Sequence, residues 1–306
     1  MNMHDDSIGR KLARSALPAA LVLALLGMSG CDWIKDRARA RAPNVRFAPY
    51  DRQYQSKTDF AQVEHKFPLT LEERERITPK NLAALDQEQI DQIYARLTAG
   101  PMPDGPFDGQ VLLPRGTSGR FRTAEIAGGF AEYALHLKGL KVETLGETLW
   151  KGKIFYRNER ILRNRIEDYS VLKQAGLVQG EPMKAKLNGK ETWLLFPAKL
   201  YCGQSLLDAR RESIVIDYFF TDEIAGYQEQ PDFLAGRRGL RVRDEIRMVR
   251  PGFYLGRAYL DRIFLLNFTL YNKDIAERDG PAFVKTGGVA EDCWTGTQQR
   301  VARAAQ

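Results

Sequence analysis

Histidine is nearly missing from this chain, with three in 306 residues, and that scarcity excludes His-rich metal sites and paired imidazoles. A Ser-His-Asp triad would have to draw on His65 or His136. His136 lies between Leu135 and Leu137 on an expected helix, a place that suits packing better than proton transfer. No Cys-x-x-Cys occurs, and Gly203-Gln204-Ser205-Leu206-Leu207 lacks the second glycine of a nucleophile elbow. Neither a phosphate-binding Gly-x-x-x-x-Gly-Lys-Ser/Thr run nor a dinucleotide fingerprint is present. These absences leave no expected catalytic set, metal site or cofactor, and they favour binding over catalysis. No solenoid-length repeat is visible. Long apolar runs are lacking too: the stretch Ala16 to Leu26 falls short of the roughly 20 residues needed to cross a bilayer.

That short run is informative in another way. Arg10, Lys11 and Arg14 precede it, and Gly27-Met28-Ser29-Gly30-Cys31 follows, the layout of an export signal with small residues at its cut site. Met28-Ser29-Gly30-Cys31 resembles the bacterial lipobox, which implies a lipoprotein signal over 1–30 and diacylglycerol (palmitate-bearing) attachment at Cys31. The bilayer would then be a partner, because two or three acyl chains on one Cys hold durably where a single chain does not. Asp32 resembles the signal that retains lipoproteins in the inner membrane, which favours the periplasmic face of that membrane over the outer membrane. Lys35, Arg37, Arg39 and Arg41 follow, each worth about 1 kcal/mol against anionic head groups, unless they are simply a solvated spacer.

Removing the first 30 residues leaves 276, enough for one large domain or two small ones. The net charge of +7 falls to about +6 without the signal. Such a basic balance would suit nucleic acid, but an exported protein rarely meets any, so anionic lipid, envelope polymer or an acidic partner fits better. Of three cysteines, lipidation of Cys31 leaves Cys202 and Cys293, an even remainder that permits one disulfide in an oxidising space. Closing a loop of about 90 residues, it would contribute roughly 4 kcal/mol in the chain-entropy picture. Two separate buried thiols are the alternative.

Along the chain, residues 31–66 read as a basic tether. A helical and loop part is expected over 67–149. Thr78 before Pro79 marks one helix start, and Asp86 with Gln89 a second. Ile90, Ile93 and Leu97 form the stripe of that second helix, with Gly100 ending it. The segment from Gly100 to Gly109, too rich in Pro and Gly for either element, reads as a shaped loop, either a pocket mouth or a tight connection. A further helix is expected from Thr123 to Lys138. From Trp150 strand grammar takes over. Its runs are Lys153–Arg157, Glu159–Ile166, Met183–Leu187, Lys190–Cys202, Glu212–Thr221, Gly239–Val249, Phe253–Leu260 and Ile263–Tyr271. Asn188-Gly189 and Arg250-Pro251-Gly252 mark tight hairpins, and Trp150-Lys151-Gly152-Lys153 reads as a turn. The fold class is therefore α+β, mainly β. An antiparallel meander over 150–296 closes into a barrel or strongly curved sheet, short N-terminal helices pack at one end, and 297–306 form a disordered tail.

Period-two reading singles out polar residues among apolar neighbours. Asp244 shares a face with Leu240, Val242, Ile246 and Met248; Asp217 lies between Ile216 and Tyr218; Arg257 goes with Leu255 and Tyr259, and Asn267 with Leu265 and Thr269. Buried carboxylates need partners. Asp217, Asp244, Arg257 and Asn267 therefore form a candidate ligand-binding set in a mostly apolar pocket, or else brace the sheet. Arg241, Arg243 and Arg247 make a basic face that would meet phosphates or, with Glu245 interleaved, simply face water.

The rhythm from Trp150 to Tyr271 is similar to that of calycin-type ligand-binding barrels. The lipocalin Gly-x-Trp signature is absent, and no lipocalin site residues carry over. The expected function is a membrane-anchored, non-enzymatic envelope lipoprotein binding an apolar or amphipathic ligand or a protein partner. The alternatives are a hydrolase of envelope lipid or glycan using Asp217 and Asp244, which requires both in one cleft, and an assembly factor using the basic face.

Overall fold

A computed structural model describes residues 41–50, 58–112, 150–167, 169–170, 173 and 180–296. The export signal, Cys31, Asp32, the Thr123–Lys138 helix with His136, and the tail at 297–306 lie outside the described residues. Among the described residues, four short helices come first: α1 (Phe60–Lys66), α2 (Leu71–Arg76), α3 (Pro79–Leu82) and α4 (Gln87–Ala95). Each starts where a side chain meets the unpaired amides of a first turn. Asp59 accepts from Ala61 N and Gln62 N at α1. Reciprocal capping boxes join Thr70 to Glu73 at α2 and Thr78 to Asn81 at α3. At α4 the Gln89 side chain accepts from Asp86 N.

Nine strands follow among the described residues: β1 (Gly105–Leu112), β2 (Trp150–Tyr156), β3 (Ile161–Ile166), β4 (Met183–Leu187), β5 (Lys190–Gln204), β6 (Glu212–Asp217), β7 (Val242–Arg250), β8 (Phe253–Leu260) and β9 (Ile263–Tyr271). Their antiparallel order is β3-β2-β1-β9-β8-β7-β6-β5-β4, and an additional β3–β5 pairing closes eight of them into a barrel with β4 outside it. Closure removes the edges that an open meander would leave unpaired. The β4–β5 hairpin turns at Asn188 (φ 50°) and Gly189 (φ 82°), the left-handed pair that a two-residue type I′ turn needs. Pro251 and Gly252 (φ 73°) make the β7–β8 turn.

Alternation along the strands builds two cores. Phe107, Phe155, Leu162, Leu200, Ile214, Ile246, Tyr254 and Phe268, one from each barrel strand, meet in a single interior cluster. Glycines make room for the larger rings there. A Cβ at Gly256 would overlap the Phe268 ring, and one at Gly109 the Trp150 ring. On the outer wall, Leu112, Val249, Phe253 and Leu255 pack against Ile90, Ile93, Tyr94 and Leu97 of the α4 segment. Each of these side chains contributes at most roughly 1.5–3 kcal/mol by leaving water.

Several expectations need correction. Not all the helices gather at one end, because α4 lies along the outer wall of β6 to β9, where it meets Ser213, Arg247, Arg257 and Asn267. The Gly100–Gly109 segment is a loop only at its start. From Gly105 it is β1, which pairs with β2 and β9, so the barrel begins well before Trp150. Trp150–Lys153 is not a turn but the bulged start of β2. The α4 helix stops at Ala95, well short of Gly100, and Thr98 bridges to Met248 instead. The tether is shorter than expected. Val45 is buried, the Gln92 side chain bonds both Ala48 N and Ala48 O, and α1 falls within 31–66. After Asp217 the chain leaves the expected strand for a 3₁₀ turn (Tyr218–Glu223), since the Asp217 carboxylate caps Phe219 N. A short helix, α5 (Glu229–Asp232), precedes β7, and α6 (Lys273–Thr286) follows β9. Among the described residues no helix is long and apolar enough to cross a membrane.

Candidate functional site

The four polar strand residues do not share a pocket. Asp244 faces the barrel interior, where β2 and β3 bring Lys153 and Asn164 opposite each other. Lys153 Nζ donates to Asp244 Oδ2 (3.0 Å), Tyr218 OH (2.5 Å) and Asn164 Oδ1 (2.9 Å), so all three of its protons have acceptors. Tyr218 OH also donates to Asp244 Oδ2 (3.3 Å), and Trp150 Nε1 donates to Asn164 Oδ1 (2.9 Å). The rings of Trp150, Tyr218 and Phe268 surround the ammonium at 5.2–5.4 Å. Burial lowers the pKa of Lys153 against the pull of Asp244, and burial raises that of Asp244 against the pull of Lys153. Burial and the Asp244 charge hold Tyr218 well above its ordinary value. The cluster is closed and internally satisfied.

Asp217 is one position out of phase with Asp244. In the register Ile216 faces Asp244 while Asp217 faces Arg243, which puts Asp217 on the outer wall, accepting from Tyr201 OH. The two carboxylates point to opposite sides of the sheet, so the paired-carboxylate hydrolase loses its cleft. Arg257 and Asn267 are neighbours, but on the outer wall beneath α4. Arg257 ion-pairs with Asp91 and donates to Tyr259 OH (2.9 Å), and Asn267 Nδ2 donates to Gln87 Oε1 (2.6 Å). Burial works against the charge on Arg257, yet Asp91 and Tyr259 together outweigh it and the pKa rises. The expected basic face is dismantled in the same layer. Arg247 is fully buried against Ser213 Oγ, Tyr94 O, Asp208 O and Arg211 O, and Arg243 pairs with Glu245, leaving only Arg241 of the three exposed.

Cys202 and Cys293 are joined, with Cα atoms 5.4 Å apart. Among the described residues their sulfurs and the Glu212 carboxylate form a group with metal-ligand spacing. The sulfurs are bonded to each other, however, and Glu212 Oε2 accepts from Trp294 N.

Among the described residues, a concavity lies elsewhere, between one end of the barrel and α6, with a volume near 670 Å³. That size is within the range of small-molecule sites. Its apolar floor includes Phe107, Met248, Tyr254 and Phe283, and its polar rim Asp104, Arg157, Asp274, Arg278 and Asp279. Sequence supplies each wall for a local reason. Pro101 and Pro103 hold the 101–104 loop out of regular structure, and Tyr254 OH donates to Pro101 O (2.6 Å). Arg157 Nε donates to Met102 O (2.6 Å), and its amide to Asp104 Oδ1 (3.2 Å). Asn272 caps α6 through Ile275 N and reaches Pro106 O (2.8 Å). Burial raises the pKa of Tyr254, so its phenol stays protonated and serves as a donor. The arrangement can seat an apolar body on the floor with a polar group at the rim. The pocket-mouth reading of Gly100–Gly109 pointed here; the contributions of α6 and the 288–290 segment were missed, because neither carries an unusual residue pattern.

No family profile matches the chain, and no curated protein matches it. Among solved structures the chain is similar to a protein from Thermomonospora curvata, at 16% identity and a TM-score of 0.29, over 62% of this chain and 88% of that one. A likeness this low carries no argument.

Proposed function

We propose that the protein is a membrane-anchored envelope lipoprotein, non-enzymatic, that carries an amphipathic ligand in the cleft beneath α6. The observation that supports the reading is the cleft itself, with ring and thioether side chains on its floor and charges of both signs on its rim. The anchor rests on the resemblance of Met28-Ser29-Gly30-Cys31 to a lipobox, with the periplasmic face of the inner membrane as its place. In this reading the Lys153–Asp244 cluster braces the barrel interior and touches no ligand. Native mass spectrometry of protein extracted in mild detergent tests the binding. A retained amphipathic mass is expected, and Ala282→Trp, which fills the cleft from α6, should remove it without lowering the melting temperature. A wild-type protein that never carries such a mass, or an Ala282→Trp variant that keeps it, overturns the reading. Metabolic labelling with palmitate, lost in Cys31→Ala, checks the anchor separately.

A further inference from the structure

With the cleft as the ligand site, access to it depends on what holds it shut. Its cover is one continuous stretch from Asn272 to Cys293, comprising α6 and the strap that follows Gly287 (φ 63°). This stretch supplies Ile275, Phe283 and Val289 to the cleft wall. Between its ends the cover is held by Phe283, which lies under the Arg74 guanidinium, and by Ile275 and Val289 packed on the barrel core. Within α6 only Phe283 is buried, and Pro281 withholds an amide from the ladder of a helix that runs on to Thr286. It is fastened at its two ends. At the first, β9 runs directly into Asn272, whose amide donates to Gly252 O (2.8 Å). At the second, the strap meets the 98–102 loop and the β5–β6 edge. Glu291 accepts from Thr98 Oγ1 (2.5 Å) and Gly100 N (2.8 Å), and Asp292 Oδ2 accepts from Met102 N (2.7 Å). Trp294 O accepts from Glu212 N (3.0 Å). Cys293 is bonded there to Cys202 of β5. The disulfide is the covalent fastening there; the hydrogen bonds beside it include three to the Glu291 and Asp292 carboxylates.

We propose that the Cys202–Cys293 bridge is a redox latch on the cleft cover: oxidised, it fastens the second end of the strap and retains the ligand; reduced, it leaves a flap hinged at Asn272. The reductant is a dithiol. One of its thiolates attacks the bridge, its second thiol resolves the mixed disulfide, and the products are its own disulfide and two protein thiols. Thiol and disulfide are thus exchanged with no other electron donor.

Hydrogen exchange followed by mass spectrometry on the full chain, oxidised or reduced with dithiothreitol, tests the latch without any ligand. Reduction should speed exchange over 273–292 by about tenfold or more, the signature of a local opening, while β8 keeps its protection. The variant with both Cys202→Ser and Cys293→Ser should reproduce the reduced pattern. An unchanged cover, or equal acceleration throughout the barrel, overturns the latch. Binding of the apolar dye N-phenyl-1-naphthylamine reads the site separately and should weaken about fivefold on reduction, as expected when the competent state is depopulated. Equal dye affinity in both forms overturns the gating. A cover that opens while the dye binds neither form keeps the latch and removes the cleft reading.

Discussion

Replacing Asp244 by Leu strands the Lys153 ammonium inside the barrel with only Asn164 Oδ1 and Tyr218 OH as acceptors. Removing one member of a buried pair costs about 3–5 kcal/mol. The cost has a ceiling, because the lysine can escape by giving up its proton. From a free pKa of about 10.4 down to pH 7, at about 1.4 kcal/mol per unit, that ceiling is near 5 kcal/mol. In the variant Lys153 is neutral when folded and charged when unfolded. Its folded pKa is depressed, the unfolded state binds the extra proton, and stability rises with pH, so the cost should fall by about 1.4 kcal/mol per unit between pH 7 and 10. Lys153→Met gives the mirror image. Asp244 must then stay protonated when folded, so its raised pKa makes stability fall as pH rises from about 4, and the cost shrinks toward acid. Urea denaturation across pH 4–10 reads both slopes, and the double variant should show neither, with much of the loss recovered. Two single variants that each cost under about 1 kcal/mol, or that share one pH slope, would refute the account of a desolvated pair.

The remaining predictions concern packing and titration. Gly256→Ala places a methyl in the Phe268 ring and should cost about 1–3 kcal/mol or more in a thermal melt, with Phe268→Leu partly rescuing it; an unchanged melt would show that the interior is not close-packed there. Asp232, buried under the β5 bulge where it accepts from Phe196 N and Gln228 N, has its pKa pushed up to about 6 by burial, which outweighs those donors. A carboxyl raised in the folded state stabilises most below its unfolded pKa and loses that contribution as pH rises toward 6, so stability should decline between about pH 4 and 6, and Asp232→Asn should flatten that slope.

Much of the barrel was legible because its strands carry their own punctuation. Phe253–Leu260 and Ile263–Tyr271 are the strand limits in the structure as in the sequence, since Pro251-Gly252 and Asp261 (φ 56°) fix the turns beside them. The boundary at Trp150 was not legible. β1 begins in Gly105-Pro106, where composition argues for a loop, and only pairing with β2 and β9 makes it a strand. Proline at a strand start gives up an amide that is not needed there. Similarly, Asp217 ends β6 early because its side chain offers Phe219 N a partner that a continued strand would not.

The candidate site was harder to read for a reason that follows from alternation itself. A period of two divides a strand into two faces but does not say which one is inside, and the usual guide is that the outer face is polar. Here both faces of β7 to β9 are buried, because α4 covers the outer wall, so Arg257 and Asn267 satisfied the same criterion as Asp244 while lying on the other side. The signal that separates them sits on another element. Gln87 and Asp91 are polar residues on the buried side of α4, one turn apart, and they meet Asn267 and Arg257. Likewise Lys153 and Asn164, polar residues in otherwise apolar strands, are the partners that a buried Asp244 demands. A strand carboxylate therefore locates its environment only when its counter-charge is found first: Asp244 belongs inside because Lys153 is there, and Asp217 belongs outside because Arg243 faces it across the ladder.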